Sequence, residues 1–330
     1  MKLALSPRLR DPDFHSWEHH FPNGLGVSVF SSPAWQKLML HEIETGWRLK
    51  MLENQIGATH ISLPVFVRTN VWKRFDISVQ PIAYYVTPIQ HDVVDSTVVD
   101  TTLKSIASAR TSTFSWWLPP WSSWNSSTFD SEEFHGLVRQ SAVDTYVISL
   151  STDASEFVAK RVSKTQRWQA RASVNRGLKV IDDPPPEMID EYYSLYLRVH
   201  KEEGWEGAPY SREFFREVST ALDKAGELLV MVHLGRVVGG GLLLYDRRAV
   251  HYFQGTTDRS VRGVFPHSVL CMEAIWRASY RHLPFVNLGG VNRGNQGLIQ
   301  FKCAWGASPV HVPFLRWRCN VAQAVKNTIS

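Results

Sequence analysis

LLVMVHLGRVVGGGLLLYDRRAVHYFQG, residues Leu228 to Gly255, decides the fold. Three runs rich in aliphatic and aromatic side chains, Leu228–Leu234, Val237–Tyr245 and Ala249–Gln254, are divided by Gly235-Arg236 and Asp246-Arg-Arg248. Short apolar runs bounded by turn residues predict strands, and turns this tight predict an antiparallel meander. Working outward, Ser211 is placed to cap a helix through Phe214, Phe215, Val218 and Leu222 that ends at Gly226. Met188, Tyr192, Leu195 and Val199 fall at i, i+4, i+7 and i+11, one apolar stripe of a longer helix. A short strand, Leu178–Ile181, precedes the break at Pro184-Pro-Pro186. Downstream, a helix spans about His267 to Arg281, and a strand, Phe285–Leu288, meets Gly289-Gly290. At the upstream end Asp153, with Glu156 three residues on, reads as a capping box. It opens a long basic helix that runs to about Asn175 and stops near Gly177.

The first half is mixed α and β. Helices are expected over Ala34–Ile43, after Ser32-Pro33, and over Val98–Ala109. Strands are expected over Lys50–Gln55, His60–Arg68, Ile82–Val86 and Thr145–Ser149. Trp116, Trp117, Trp121 and Trp124 crowd one segment whose two prolines exclude a helix. A chain of 330 residues exceeds one ordinary core and favours two domains of about 150 residues each. The boundary is expected near residue 150, giving 1–150 and 151–330. Charge divides there too. Residues 1–150 hold 12 Lys/Arg and 14 Asp/Glu, a net −2; residues 151–330 hold 24 and 17, a net +7. The basic half is expected to take the anionic ligand.

Three cysteines, with no Cys-x-x-Cys spacing, argue against a disulfide framework or a zinc site and fit a reducing compartment. Met1 to Pro12 lacks the apolar centre of a signal peptide, and no stretch reaches the ~18 apolar residues of a membrane helix. The expectation is a cytoplasmic protein without a metal or bound cofactor. Gly-x-Ser-x-Gly and His-Glu-x-x-His are both absent, so hydrolase chemistry has no motif to stand on.

The order strand, two helices, three antiparallel strands, helix, strand is that of the GNAT acyltransferases. Residues 151–306 resemble, more narrowly, the second domain of the Fem-type aminoacyl-tRNA-dependent transferases. The residues that carry the likeness are Lys164-Thr-Gln-Arg167 with Arg171, Gly239-Gly-Gly241, Tyr252-Phe-Gln-Gly255, Asn287-Leu-Gly-Gly290 and Gly297-Leu-Ile-Gln-Phe-Lys302 followed by Trp305-Gly306. The resemblance implies an α/β protein of two tandem GNAT-like domains, each a mixed sheet flanked by helices. It also implies transfer of an aminoacyl group from aminoacyl-tRNA to the amine of a peptide or peptidoglycan precursor. Residues 1–150 would form the acceptor side and 151–330 the donor side. The leading alternative is an acyl-CoA-dependent N-acyltransferase acting on a sugar or polysaccharide amine. A further alternative is an RNA-binding module without catalysis.

The candidate residues follow. Lys160, Lys164, Arg167 and Arg171 recur at i, i+4, i+7 and i+11, so one helix would align them toward a polyanion. A merely solvated face is the competing explanation. Lys302 matches the lysine that Fem enzymes keep near the reacting groups, where a cation would stabilise the oxyanion of aminolysis; a surface ion pair competes. Tyr252, on a central strand, would donate a hydrogen bond or a proton, unless it only packs. Gly289 and Gly290 would let a ligand approach the backbone, against a plain strand-to-helix turn, and Asn287 and Asn292 would orient an acceptor, against asparagines with no part in binding. Trp116 and Trp121 would stack on that acceptor, against plain core packing. Of the GNAT pyrophosphate motif only Arg262 and Gly263 remain, and Pro266 removes an N–H. That departure weakens the acyl-CoA alternative.

Overall fold

The computed structural model describes residues 8–21, 28–43, 45–56, 59–71, 73–79, 94–108, 111–123, 136–150, 153–204, 210–291 and 294–319. The strand expected over 82–86, Trp124 and Asn292 lie outside them. The chain divides into two compact units. One comprises residues 1–22, 26–143 and 311–330, the other residues 23–25 and 144–310.

In the first unit β1 (Arg8–Arg10), β2 (Arg48–Ile56), β3 (Thr59–Thr69), β4 (Phe75–Ser78) and β5 (Thr111–Trp117) lie side by side in that order. The helices are α1 (Phe14–Glu18), α2 (Pro33–Glu42) and α3 (Ser96–Ser108). α2 starts where Ser32 Oγ accepts the Trp35 N–H at 3.2 Å and Pro33 pre-sets the first turn. β1 through β4 pair antiparallel, and β4 pairs parallel to β5.

The second unit contains β6 (Gly136–Ser149), whose first residues belong to the first unit, then α4 (Ala154–Arg161), α5 (Lys164–Asn175), β7 (Lys179–Ile181), α6 (Pro186–Glu202) and α7 (Arg212–Leu222). The meander follows as β8 (Gly226–His233), β9 (Arg236–Tyr245) and β10 (Ala249–Thr257), then α8 (Pro266–Tyr280), β11 (Phe285–Gly290) and α9 (Gln296–Ala304). β7 through β10 pair antiparallel, β10 pairs parallel to β11, and β11 pairs antiparallel to β6. The last strand, β12 (Ser308–Cys319), pairs antiparallel to β5 of the first unit.

Both units therefore show one sequence of pairings: three antiparallel, one parallel, one antiparallel. The expected α/β class and tandem plan hold. The simple cut at residue 150 does not describe the units, because the strand that closes the first comes from the far end of the chain.

Two local readings need correction. The long basic helix is two helices. Val162, 3% exposed, turns inward in extended conformation, and the Ser163 N–H donates to the Ala304 carbonyl at 2.8 Å. Ser163 Oγ then accepts the Gln166 N–H at 3.3 Å and starts α5 afresh. The glycine run in β9 is a close-packing device. A Cβ on Gly241 would lie 2.3 Å from Leu270 Cδ2, so glycine is what lets α8 press onto the sheet. Leu243, Val250, Leu270, Ile275 and Val286 share the core so formed.

Candidate functional site

The site forms where β10 and β11 part. Their parallel pairing covers only Ala249–His251 against Phe285–Asn287. A bulge between Tyr252 and Gln254 then shifts β10 relative to β9. The bulge lays the Tyr252 ring along its own strand: a Cβ on Gly255 would fall 2.1 Å from the Tyr252 hydroxyl oxygen. Tyr252 Oη lies 3.0 Å from His267 Nδ1. Burial raises the Tyr252 phenol well above its ordinary value. Burial, then the nearby Arg259 charge, lowers the His267 imidazole to about 4. At neutral pH a protonated phenol thus faces a neutral imidazole, and the phenol O–H can donate to Nδ1.

Lys302 enters the same gap from the last turn of α9, a helix begun by Asn295 Oδ1 accepting the Leu298 N–H at 3.1 Å. The lysine is 7% exposed. Its Nζ donates to the carbonyls of Gly289, at 3.0 Å, and Gly290, at 3.1 Å. Burial lowers its pKa to about 8. Gly289, with φ 81°, sits between the two candidates: a Cβ there would be 3.8 Å from both Lys302 Nζ and the Tyr252 carbonyl oxygen. Cys271 is buried nearby, and burial pushes its thiol up to about 12, so it is no nucleophile at neutral pH.

A buried polar chain supports the Gly289 turn. Asp246, fully buried, accepts the Arg248 and Ala249 N–H groups at 2.8 Å each, and lies 2.7 Å from His251 Nε2. His251 Nδ1 is 3.5 Å from Asn287 Nδ2. Asn287 Oδ1 accepts the Thr145 hydroxyl at 2.7 Å and the Gly289 N–H at 2.9 Å. Asn287 is only 4% exposed, so its place is beneath the turn; the acceptor-orienting role expected for it is corrected to a positioning one. Asp246, His251 and Thr145 were not expected from the sequence. The signal available was a run of polar residues at inward positions on otherwise apolar strands.

The loop before α8 is where a GNAT fold offers backbone N–H groups to a pyrophosphate. Here the Phe265 N–H donates to Ser173 Oγ at 2.7 Å, Pro266 has no N–H, and the Gly263 carbonyl is held by Arg176. Ser268 Oγ donates to Gln166 Oε1 at 2.8 Å. α5 thus occupies one N–H that a pyrophosphate would use. Arg262 is exposed beside this loop.

The basic residues do not form one stripe. Lys160 belongs to α4 and pairs with Glu156 at 2.5 Å. Arg167 donates to the Ala159 carbonyl at 2.7 Å. Lys164 and Arg171 remain exposed on α5. Trp116 is fully buried on β5, edge-on to Phe114 with centroids 6.3 Å apart, so its expected stacking on a ligand is corrected to core packing. Trp121 is half-buried.

The first unit holds a cavity of ≈ 480 Å³ lined by Trp47, Arg68, Asp76, Ser78, Phe314 and Arg316 among others. Asp76 accepts the Thr113 hydroxyl at 2.9 Å and pairs with Arg68 at 3.4 Å. Among the described residues no helix is long and apolar enough to cross a membrane, and no His/Cys/Asp/Glu group could hold a metal.

This geometry, a parted parallel pair after an antiparallel meander, repeated in pairing order by the first unit, is that of a tandem GNAT-like fold. Residues 159–302 match the family described as Acetyltransferase (GNAT) domain. Among solved structures the chain is similar to FemX, with TM-score 0.61 at 10% identity over 93% of this chain and 96% of that one. It is also similar to a tandem GNAT protein from the clavulanic acid biosynthesis pathway, with TM-score 0.54 at 12% identity over 96% and 99%. No curated protein matches the sequence.

Proposed function

We propose that this chain transfers an aminoacyl group from aminoacyl-tRNA to the amine of a peptide or peptidoglycan precursor. The observation that carries the choice of donor is the loop before α8. Ser173 takes up the Phe265 N–H and Pro266 offers no donor, so two backbone positions at the usual seat of a CoA pyrophosphate are closed to it. In aminolysis the acceptor nitrogen attacks the ester carbonyl, negative charge gathers on the carbonyl oxygen, and the ribose oxygen leaves with a proton. Lys302 has three N–H donors and commits two to Gly289 and Gly290, so one remains for the oxyanion. Tyr252 relays the proton: its hydroxyl gives one to the leaving oxygen and takes one from the attacking nitrogen, with His267 fixing its position. The second unit would be the donor side. The first unit would be the acceptor side, a reading supported by its polar cavity.

The alternative donor, acyl-CoA, is favoured by the family match over residues 159–302. The two separate by titrating the protein with aminoacyl-tRNA in a filter-binding assay and with CoA by calorimetry, then measuring single-turnover transfer to an amine acceptor. RNA binding with aminoacyl transfer upholds the proposal. CoA binding without RNA binding overturns it.

A further inference from the structure

Trp168 has no use in the site described so far, and it is not a core residue: 55% of it is exposed. It lies four residues after Lys164 and three before Arg171, so these three share one face of α5. Gln166, Ala170 and Ser173 are the buried residues of the helix. The indole is braced on one side by Phe265, with centroids 5.9 Å apart, and the Arg176 guanidinium stands 5.9 Å from its ring. α5 contains no acidic residue, and neither Lys164 nor Arg171 has an ion-pair partner among the described residues. A half-exposed, braced indole between unpaired cations is the arrangement that stacks a base and neutralises the phosphates beside it.

We infer that Trp168 is a stacking platform for an unpaired base of single-stranded RNA, with Lys164 and Arg171 contacting the flanking phosphates. The inference rests on the proposed RNA donor and names the part of it that is recognised. A duplex keeps its base faces stacked inside, so an exposed ring selects a single-stranded end over a paired stem. From Lys164 to Arg171 the helix face extends about 10 Å, enough for a nucleotide with a phosphate on either side. An acidic peptide would use the same cations but would leave the indole without a planar partner.

The test measures anisotropy of two labelled RNA hairpins on the full chain, one with a four-nucleotide single-stranded 3′ tail and one blunt. The tailed hairpin is expected to bind more tightly. Trp168→Ala should weaken the tailed hairpin by about 10- to 100-fold and leave the blunt one unchanged. Trp168→Phe, which keeps an aromatic face, should recover most of the loss. Arg171→Ala should lower the log–log salt slope by about 0.7 for the tailed RNA. Equal affinity of wild type and Trp168→Ala for the tailed hairpin overturns the platform while leaving the RNA donor standing. No binding of either hairpin to the wild type overturns both. Weakened CoA binding in Trp168→Ala, with RNA binding unchanged, assigns the ring to a CoA adenine and overturns the inference as well.

Discussion

The two units share one order of strand pairing and differ in what they bury. In the second unit Asp246, His251, Asp258 and Lys302 are all below a tenth exposed. Among the described residues of the first unit the buried polar side chains are Ser, Thr, Gln and Asn, none of them ionisable. Its charged cluster, Arg68 with Asp76, borders an open cavity and stays partly in water. Burying a charge costs several kcal/mol unless partners offset it. A fold that takes on this cost in one copy and avoids it in the other supports the proposed division of labour, with chemistry in the second unit and surface recognition in the first.

The largest effect should come from the buried chain. Asp246→Ala leaves the His251 ring and two backbone N–H groups without their acceptor, and should cost about 3–5 kcal/mol of stability in a denaturant titration. A loss near that of a surface pair would erase the contrast. Next, Lys302→Met should lower single-turnover transfer by about 10²–10³, roughly 3–4 kcal/mol, with donor binding retained. A wild-type rate would remove Lys302 from the mechanism.

The same lysine carries a pH signature. In the unfolded chain its amine holds a proton to about 10.5; folded, it releases the proton near 8. Below pH 8 both states are charged and the burial cost is fully present. Between pH 8 and 10.5 the unfolded state binds more protons, so stability rises with pH, by on the order of 3 kcal/mol at most. Denaturation midpoints from pH 7.5 to 10 should show that rise in the wild type and not in Lys302→Met.

A smaller effect, about tenfold on turnover, is expected for Gly255→Ala, whose methyl displaces the Tyr252 ring from His267. Unchanged turnover would show that the Tyr252–His267 contact is not used. Smallest of all, Arg68→Ala should cost at most about 1 kcal/mol, since the Arg68 side chain is half in water and Asp76 keeps the Thr113 hydroxyl as a partner. A loss as large as that of Asp246→Ala would make the first unit's cluster as structural as the second's.

The second unit was largely legible because its signals are local. The meander's turns, the Ser211 cap and the stripe from Met188 to Val199 each act within a few residues, and β8 to β10, α6 and α7 appear where they were expected. Lys302 came from the family resemblance and Tyr252 from its place on an expected central strand, and both lie beside Gly289. The break at Ser163 was missed because the spacing of Lys160, Lys164, Arg167 and Arg171 is continuous on paper, while the burial that interrupts it depends on Ala304, some 140 residues away. Asn287 and Trp116 were misplaced for the same reason: whether a polar or aromatic side chain faces a ligand or a core is decided by neighbours distant in sequence. β12 was not anticipated at all, since its partner is β5, almost 200 residues earlier.

That last strand has a consequence for how the molecule is made. The first unit lacks its closing strand until residues 311–319 leave the ribosome, roughly 170 residues after the unit's main segment is complete. At ordinary elongation rates this delay is about 10–30 s. Throughout it β5 carries an unpaired edge, a template open to other nascent chains. Synthesis from one end to the other therefore cannot finish the first unit first. A protein truncated before His311 should be captured by chaperones or aggregate, even though Tyr252, His267 and Lys302 would already be in place.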